Sequence, residues 1–111
     1  MSTKTPECWS SDSQAEGLRI ELSQELYLLL PFNQFLQAEL KIENKEHHLR
    51  LVFAMNEVLI SGKNLKRILI AMQKKELALI AKVSSNYQLP PVDGTPLIQS
   101  IVVTKAKSQG N

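Results

Sequence analysis

The sequence is short of the residues from which catalytic and metal sites are most often built. Its 111 residues include one cysteine, two histidines and 5% aromatic residues. A single thiol excludes an intramolecular disulfide and a paired-cysteine metal site, and it fits a reducing compartment. We interpret Cys8 as an incidental thiol, because no base lies beside it to favour the reactive thiolate.

Long apolar runs are also missing. The stretch LYLLLPF at 26–32 is far shorter than the roughly 20 residues of a membrane-spanning helix, and residues 1–17 lack the apolar segment of a secretory signal. With 43% apolar and 22% charged residues, the chain has the composition of one globular domain. These features predict a cytoplasmic protein without a membrane segment.

Charge is distributed unevenly although its total is small. Residues 1–45 carry four basic and seven acidic side chains, a net −3, whereas residues 46–111 carry nine basic and four acidic ones, a net +5. The overall net charge of +2 is too small to indicate a polyanion partner. The asymmetry favours either an anionic partner for the second half or pairing of unlike halves in an oligomer.

Alternation of apolar and polar residues predicts several short strands. A continuously apolar segment that ends at Pro31 predicts a more deeply buried strand, which stops there because proline cannot donate a ladder hydrogen bond. In FLQAELKIE we expect Leu36, Ala38, Leu40 and Ile42 on one face. The predicted strands are 18–22, 24–32, 35–43, 48–54, 58–61, 77–83 and 96–104, with a loop over 86–95.

One segment follows a helical period instead. Leu65, Ile68, Leu69 and Met72 recur at i, i+3, i+4 and i+7, and Asn64 precedes them as an N-cap. The predicted fold is therefore α+β: a single small domain with one curved, mostly antiparallel sheet of short strands, and one main helix over about 64–75 packed on it. We expect a disordered arm over 1–16, the domain over 17–104 and a disordered tail over 105–111.

The motifs that would indicate an enzyme are incomplete. Ser61–Gly62–Lys63 resembles part of a phosphate-binding loop, but Glu57 and Asn64 stand where that loop needs glycine and Ser or Thr. Gly62 more simply relieves backbone strain between strand and helix. His47 and His48 are adjacent and point to opposite faces of a strand, so they do not share a metal. Without a Ser/His/Asp set, we expect no enzyme, cofactor or metal.

The outer face of the predicted helix is the candidate binding surface. Lys63, Lys66, Arg67 and Lys74 lie opposite the apolar stripe with Ile70 among them. These residues form either a solvated face that keeps the protein soluble or a surface for anions or a protein partner. An isoleucine among cations favours a protein partner, and no aromatic residue is interleaved for base stacking.

Function follows from these expectations only in outline. We predict a non-enzymatic binding or assembly module that forms a homo-oligomer, most simply a dimer, because LYLLLPF is too apolar to remain exposed. A further protein partner is compatible with this prediction. The alternative is a nucleic-acid-binding regulator that uses the basic helix face and whose binding weakens as salt rises.

Overall fold

Strands dominate the structure. The computed structural model describes residues 8–82 and 95–105, which form eight strands, one α-helix and one 3-10 helix. The elements in chain order are β1 (Trp9–Ser11), β2 (Gly17–Ser23), β3 (Leu26–Pro31), a 3-10 helix (Phe32–Gln34), β4 (Phe35–Glu43), β5 (Glu46–Phe53), β6 (Asn56–Lys63), α1 (Lys66–Gln73), β7 (Leu77–Ala81) and β8 (Leu97–Lys105). The predicted loop over 86–95 lies outside the described residues except for Thr95.

The strands form two sheets rather than the single curved sheet that we predicted. The first sheet has the order β1-β7-β2-β3, and the second has the order β4-β5-β6-β8. All neighbouring strands are antiparallel except β2 and β7, which are parallel. The local hairpins β2–β3, β4–β5 and β5–β6 agree with the predicted meander, whereas the β1–β7, β2–β7 and β6–β8 pairs join segments distant in sequence.

One hydrophobic core joins both sheets and the helix. It includes Leu18 and Ile20 of the first sheet, Leu51 and Ile60 of the second, and Ile68 of α1, all fully buried. Each such side chain contributes roughly 1.5–3 kcal/mol of gross burial free energy. The predicted inner face of the helix is confirmed, since Leu65, Ile68 and Met72 are fully buried and Leu69 packs partly buried against them. Among the described residues no polar side chain is buried.

The predicted disordered arm is wrong over residues 8–16. Trp9 pairs with Ile80 of β7, and the amide of Ala81 donates to the carbonyl of Cys8. Cys8 is 2% exposed and packs in the core. The polar composition of this segment hid the strand, because β1 is a short edge that buries few of its own side chains. Residues 1–7 and 106–111 lie outside the described part of the chain, and Lys105 of the predicted tail belongs to β8.

Two predicted burial patterns also need correction. In β3 only Leu30 is buried, because this strand is an edge of the first sheet. In β4 the register shifts between Phe35 and Gln37, so Leu36 is the extra residue of a bulge and is exposed. Ile42, which was expected on the same face as Leu36, is also exposed near the end of the strand.

The helix is shorter than predicted at both ends. It begins after Leu65, whereas Asn64 has a positive φ of 55° and makes no cap bond to the first turn. It ends because Lys75 adopts a left-handed φ of 57°, with the Glu76 amide donating to the Ala71 carbonyl. This is the hydrogen-bond pattern of a Schellman C-cap, and it forms here without the usual glycine.

Gly62 lies inside β6, so the predicted strain-relieving turn is wrong. A Cβ atom at this position would lie 1.9 Å from the carbonyl oxygen of Leu97. The register of β6 with β8 shifts between Ser61 and Gly62, which brings the two backbones together there. Gly62 is therefore required by the close approach of β8.

No helix within residues 8–82 and 95–105 has the length and apolar character needed to cross a bilayer.

Candidate functional site

The predicted basic residues do not all lie on the helix. Lys66, Arg67 and Ile70 are on the exposed side of α1, and Lys74 follows as its exposed C-cap residue. Lys63 is instead the last residue of β6, where its Nζ donates to the carbonyl of Lys45 at 3.4 Å. In the described part of the chain no carboxylate pairs with Lys66, Arg67 or Lys74. A binding role for this helix face stays a prediction.

The start of the helix is held by a histidine from the neighbouring hairpin. The Leu65 amide donates to Nδ1 of His47 at 3.2 Å, while Nδ2 of Asn64 donates to the Thr95 carbonyl at 3.1 Å. The predicted capping role of Asn64 is thus wrong, because its amide side chain faces β8 rather than the first turn. Sequence reasoning missed His47, since a contact between residues 18 positions apart leaves no local pattern.

Replacing His47 by alanine is expected to lower the free energy of unfolding by about 1 kcal/mol. The substitution leaves the half-buried Leu65 amide without its acceptor, which is the usual effect of losing a helix cap. Urea denaturation followed by circular dichroism measures the change. His48→Ala is the control, because it removes only a partly exposed bond to Ser61 and should cost less than about 0.5 kcal/mol. Equal losses in the two variants would contradict the capping role.

The two histidines point to opposite sides of β5, as predicted. His47 contacts the helix start, whereas Nδ1 of His48 lies 3.3 Å from the Ser61 hydroxyl on the outer face of the second sheet. Nε2 of His48 lies 3.7 Å from a Glu46 oxygen. The contact between His48 and Ser61 is a polar cross-strand contact, since the two residues are register partners of β5 and β6.

Arg50 lies at the centre of the same outer face. Its Nε donates to Glu57 on β6 and its Nη1 donates to Glu39 on β4 at 3.4 Å. These two carboxylates raise the pKa of Arg50 above its ordinary value, Glu57 through its hydrogen bond being the larger cause. The guanidinium therefore binds two carboxylates of its own sheet. This network links three neighbouring strands through two of the five guanidinium donors.

The buried position of Cys8 disfavours the reactive thiolate form of its side chain. Its thiol donates to the Pro96 carbonyl at 3.5 Å, and burial raises its pKa above the ordinary value for cysteine. A raised pKa lowers the fraction of thiolate, the form that reacts with oxidants and metals. The environment supports the interpretation of an incidental thiol, although Cys8 belongs to the core and not to a flexible arm.

The edge of β3 carries three exposed apolar side chains. Leu26, Tyr27 and Leu29 are 51%, 53% and 69% exposed, and we call these three residues the edge patch. Tyr27 and Leu29 point to the outer face beside Glu21 and Arg19 of β2, which pair with each other at 3.2 Å. Among the described residues no strand pairs with the second side of β3.

A basic pocket lies at one end of the second sheet, away from the edge patch. It has a volume of about 600 Å³ and sits between the β4–β5 turn, the end of β6 and the start of β8. We call it the end pocket. Its lining residues are Ile42, Lys45, His47, Lys63, Asn64, Leu97 and Gln99. In the described part of the chain, no three histidine, cysteine or acidic side chains come together as a metal site.

Comparison with protein-family models, with curated proteins and with solved structures finds no match to this chain. The edge patch and the end pocket are therefore interpreted from their own chemistry.

Proposed function

We propose that the protein is a non-enzymatic assembly module that self-associates through the edge patch. The observation that carries the proposal is the exposure of Leu26, Tyr27 and Leu29 on a strand with an open hydrogen-bonding edge. Such an edge presents unpaired amides and carbonyls to which another strand can add. Apolar side chains beside that edge gain free energy when a second strand covers them.

A second copy of the same chain is the occupant that the composition of β3 favours. Its sequence, LYLLLP, contains no charged residue, so two antiparallel copies bring no like charges opposite each other. Natural edge strands are commonly protected by lysine, proline or a bulge, and β3 has only Pro31 at its end. A two-fold axis at this edge would join the first sheets of two copies into one eight-stranded sheet.

The register of such a dimer follows from Pro31. Because proline has no amide hydrogen, it is best left outside the new ladder. Placing the two-fold axis at Leu28 does so and sets Tyr27 of one copy opposite Leu29 of the other. This register forms two equivalent aromatic–aliphatic pairs on the outer face, each contributing about 0.2–1 kcal/mol. Leu26 of each copy then faces Leu30 of the other.

Sedimentation equilibrium of the wild-type chain is expected to give a dimer at tens of micromolar, at about twice its 12.5 kDa mass. Leu29→Lys should raise the dimer dissociation constant by at least about tenfold, because it places an ammonium group in each Tyr27 contact. Leu36→Lys is the matched control, since Leu36 is 68% exposed and lies on the other sheet. A wild-type monomer, or equal effects of the two variants, contradicts the proposal.

Cysteine pairs test the register separately. Mixing Tyr27→Cys with Leu29→Cys should yield a disulfide between copies on mild oxidation, because facing positions of an antiparallel pair lie within disulfide reach. Each variant alone should crosslink much less. Crosslinking of Leu29→Cys with itself at the level of the mixture would place the axis at Leu29 and contradict the register.

A further inference from the structure

The described lining of the end pocket combines cations with hydrogen-bond donors and includes no carboxylate. Lys45 follows Asn44 in a turn where both residues have positive φ, and this turn brings the Lys45 carbonyl beside the Lys63 side chain. The bond from Lys63 Nζ to the Lys45 carbonyl holds one ammonium group at the wall, where Lys63 is half-buried. Lys45 and Lys63 therefore both line the same cavity.

The carboxylates of the β4–β5 hairpin ends belong to its opposite side. Glu43 pairs with Lys41 at 3.3 Å, and Glu46 lies beside His48 at 3.7 Å. These contacts follow the strand alternation, since Glu43 and Glu46 are cross-strand partners, as are Ile42 and His47 on the pocket side. Within the described residues, Glu43 and Glu46 thus do not neutralise the lysines of the pocket.

Neutral polar groups add directional hydrogen bonding. Because Nδ1 of His47 accepts from the Leu65 amide, the neutral ring carries its hydrogen on Nε2, which is left to donate. Asn64 is fixed by its bond to Thr95, and Gln99 supplies an exposed carboxamide. An anion that enters the pocket would meet these donors together with the two lysines.

The remaining wall is apolar and indicates the rest of the ligand. Ile42 is 57% exposed, which is unfavourable for an apolar side chain, whereas its strand neighbours Lys41 and Glu43 are charged. Leu97 is half-buried and lines the same pocket. We infer that the end pocket binds a small organic anion, with a phosphate or carboxylate head group at Lys45 and Lys63 and an apolar portion against Ile42 and Leu97. The oxygens of either head group can accept charge-assisted hydrogen bonds from the same two lysine ammonium groups.

Titration of the full-length chain with phenyl phosphate, hexanoate and inorganic phosphate tests this inference by amide NMR. Phenyl phosphate or hexanoate is expected to shift the Leu97 and Gln99 amides with a dissociation constant below about 10 mM. The ligand that binds more tightly shows whether the pocket prefers a phosphate or a carboxylate head group. Inorganic phosphate should bind less tightly than phenyl phosphate, because it leaves the apolar wall uncovered.

Two lysine variants and one control distinguish binding at the end pocket from nonspecific attraction of anions to surface lysines. Lys63→Met and Lys45→Met should each raise the dissociation constant about tenfold, whereas Lys63→Arg should keep most of the affinity. Lys105→Met removes an exposed lysine at the end of β8 remote from the pocket and should change nothing. No binding by either organic anion, or an equal loss in Lys105→Met, overturns the inference. Folding of each variant is read from the same spectra.

Discussion

Replacing Phe53 by alanine lowers the free energy of unfolding by about 4 kcal/mol, the largest loss expected from a single truncation in this core. Phe53 is 1% exposed, and its ring centroid lies 5.4 Å from that of Phe35 at an interplanar angle of 59°. The substitution removes a fully buried ring and leaves a cavity between the second sheet and the rest of the core. It also removes a tilted aromatic pair that contributes about 0.5–1.5 kcal/mol.

Urea denaturation measures this loss, with Phe35→Leu as the control. Phe35 is the cross-strand partner of Phe53 but is only partly buried, so its replacement by leucine keeps most of the packing. We expect a cost of about 1 kcal/mol for Phe35→Leu. A loss below about 2 kcal/mol for Phe53→Ala would show that the core collapses around the missing ring and would contradict the packing described above.

Gly62→Ala is expected to destabilise the protein by about 3 kcal/mol although it adds only a methyl group. The added Cβ would lie 1.9 Å from the Leu97 carbonyl oxygen and 3.0 Å from the Leu97 carbonyl carbon. Both neighbours are backbone atoms of β8, so relief requires the two strands to separate. Overpacking of this kind costs about 1–3 kcal/mol when side chains can move, and more when backbone must move.

Gly17→Ala provides the comparison. Its Cβ would lie 2.8 Å from the Leu30 carbonyl oxygen of β3, a smaller overlap than the 1.9 Å approach at Gly62. Thermal denaturation should therefore rank Gly17→Ala between the wild type and Gly62→Ala. Because both glycines lie in inner strands that face an edge strand, the reverse order would contradict the closer approach of β8 to Gly62.

Mutations can test the edge patch and the end pocket independently. The patch belongs to β3 of the first sheet, whereas the pocket lies at the end of the second sheet between the β4–β5 turn and β8. Leu29→Lys should therefore leave phenyl phosphate binding unchanged, and Lys63→Met should leave the dimer intact. Each proposal can fail without affecting the other.

Local pattern located most of the strands and the buried face of the helix, but not β1 or the ends of the helix. Alternation located β2, β4 and β5, and the spacing of Leu65, Ile68 and Met72 identified the buried face of α1, because side chains within one element repeat with its period. The position of Lys66, Arg67 and Ile70 on the outer face follows from the same spacing. Burial within α1 thus follows from short-range geometry that a sequence displays, whereas burial in β3 and β4 also depends on their positions in the sheets.

Contacts between distant segments were decided only by the tertiary structure. Nothing local indicates that β7 runs parallel to β2, that residues 9–11 add to β7, or that the Leu97 carbonyl approaches Gly62. The same holds for the end pocket, which needs Lys45, Lys63 and Leu97 from three separate segments.

The sequence alone determined the apolar composition of LYLLLPF and the order of the elements from β2 to β8. Whether that apolar strand lies in the centre or at the edge of a sheet depends on which other segments reach it. In the folded chain β2 covers one side of β3, and no strand within residues 8–82 and 95–105 pairs with the second side. Pairing between segments distant in sequence is a property of the whole fold, because it is selected by the total burial that all elements achieve together.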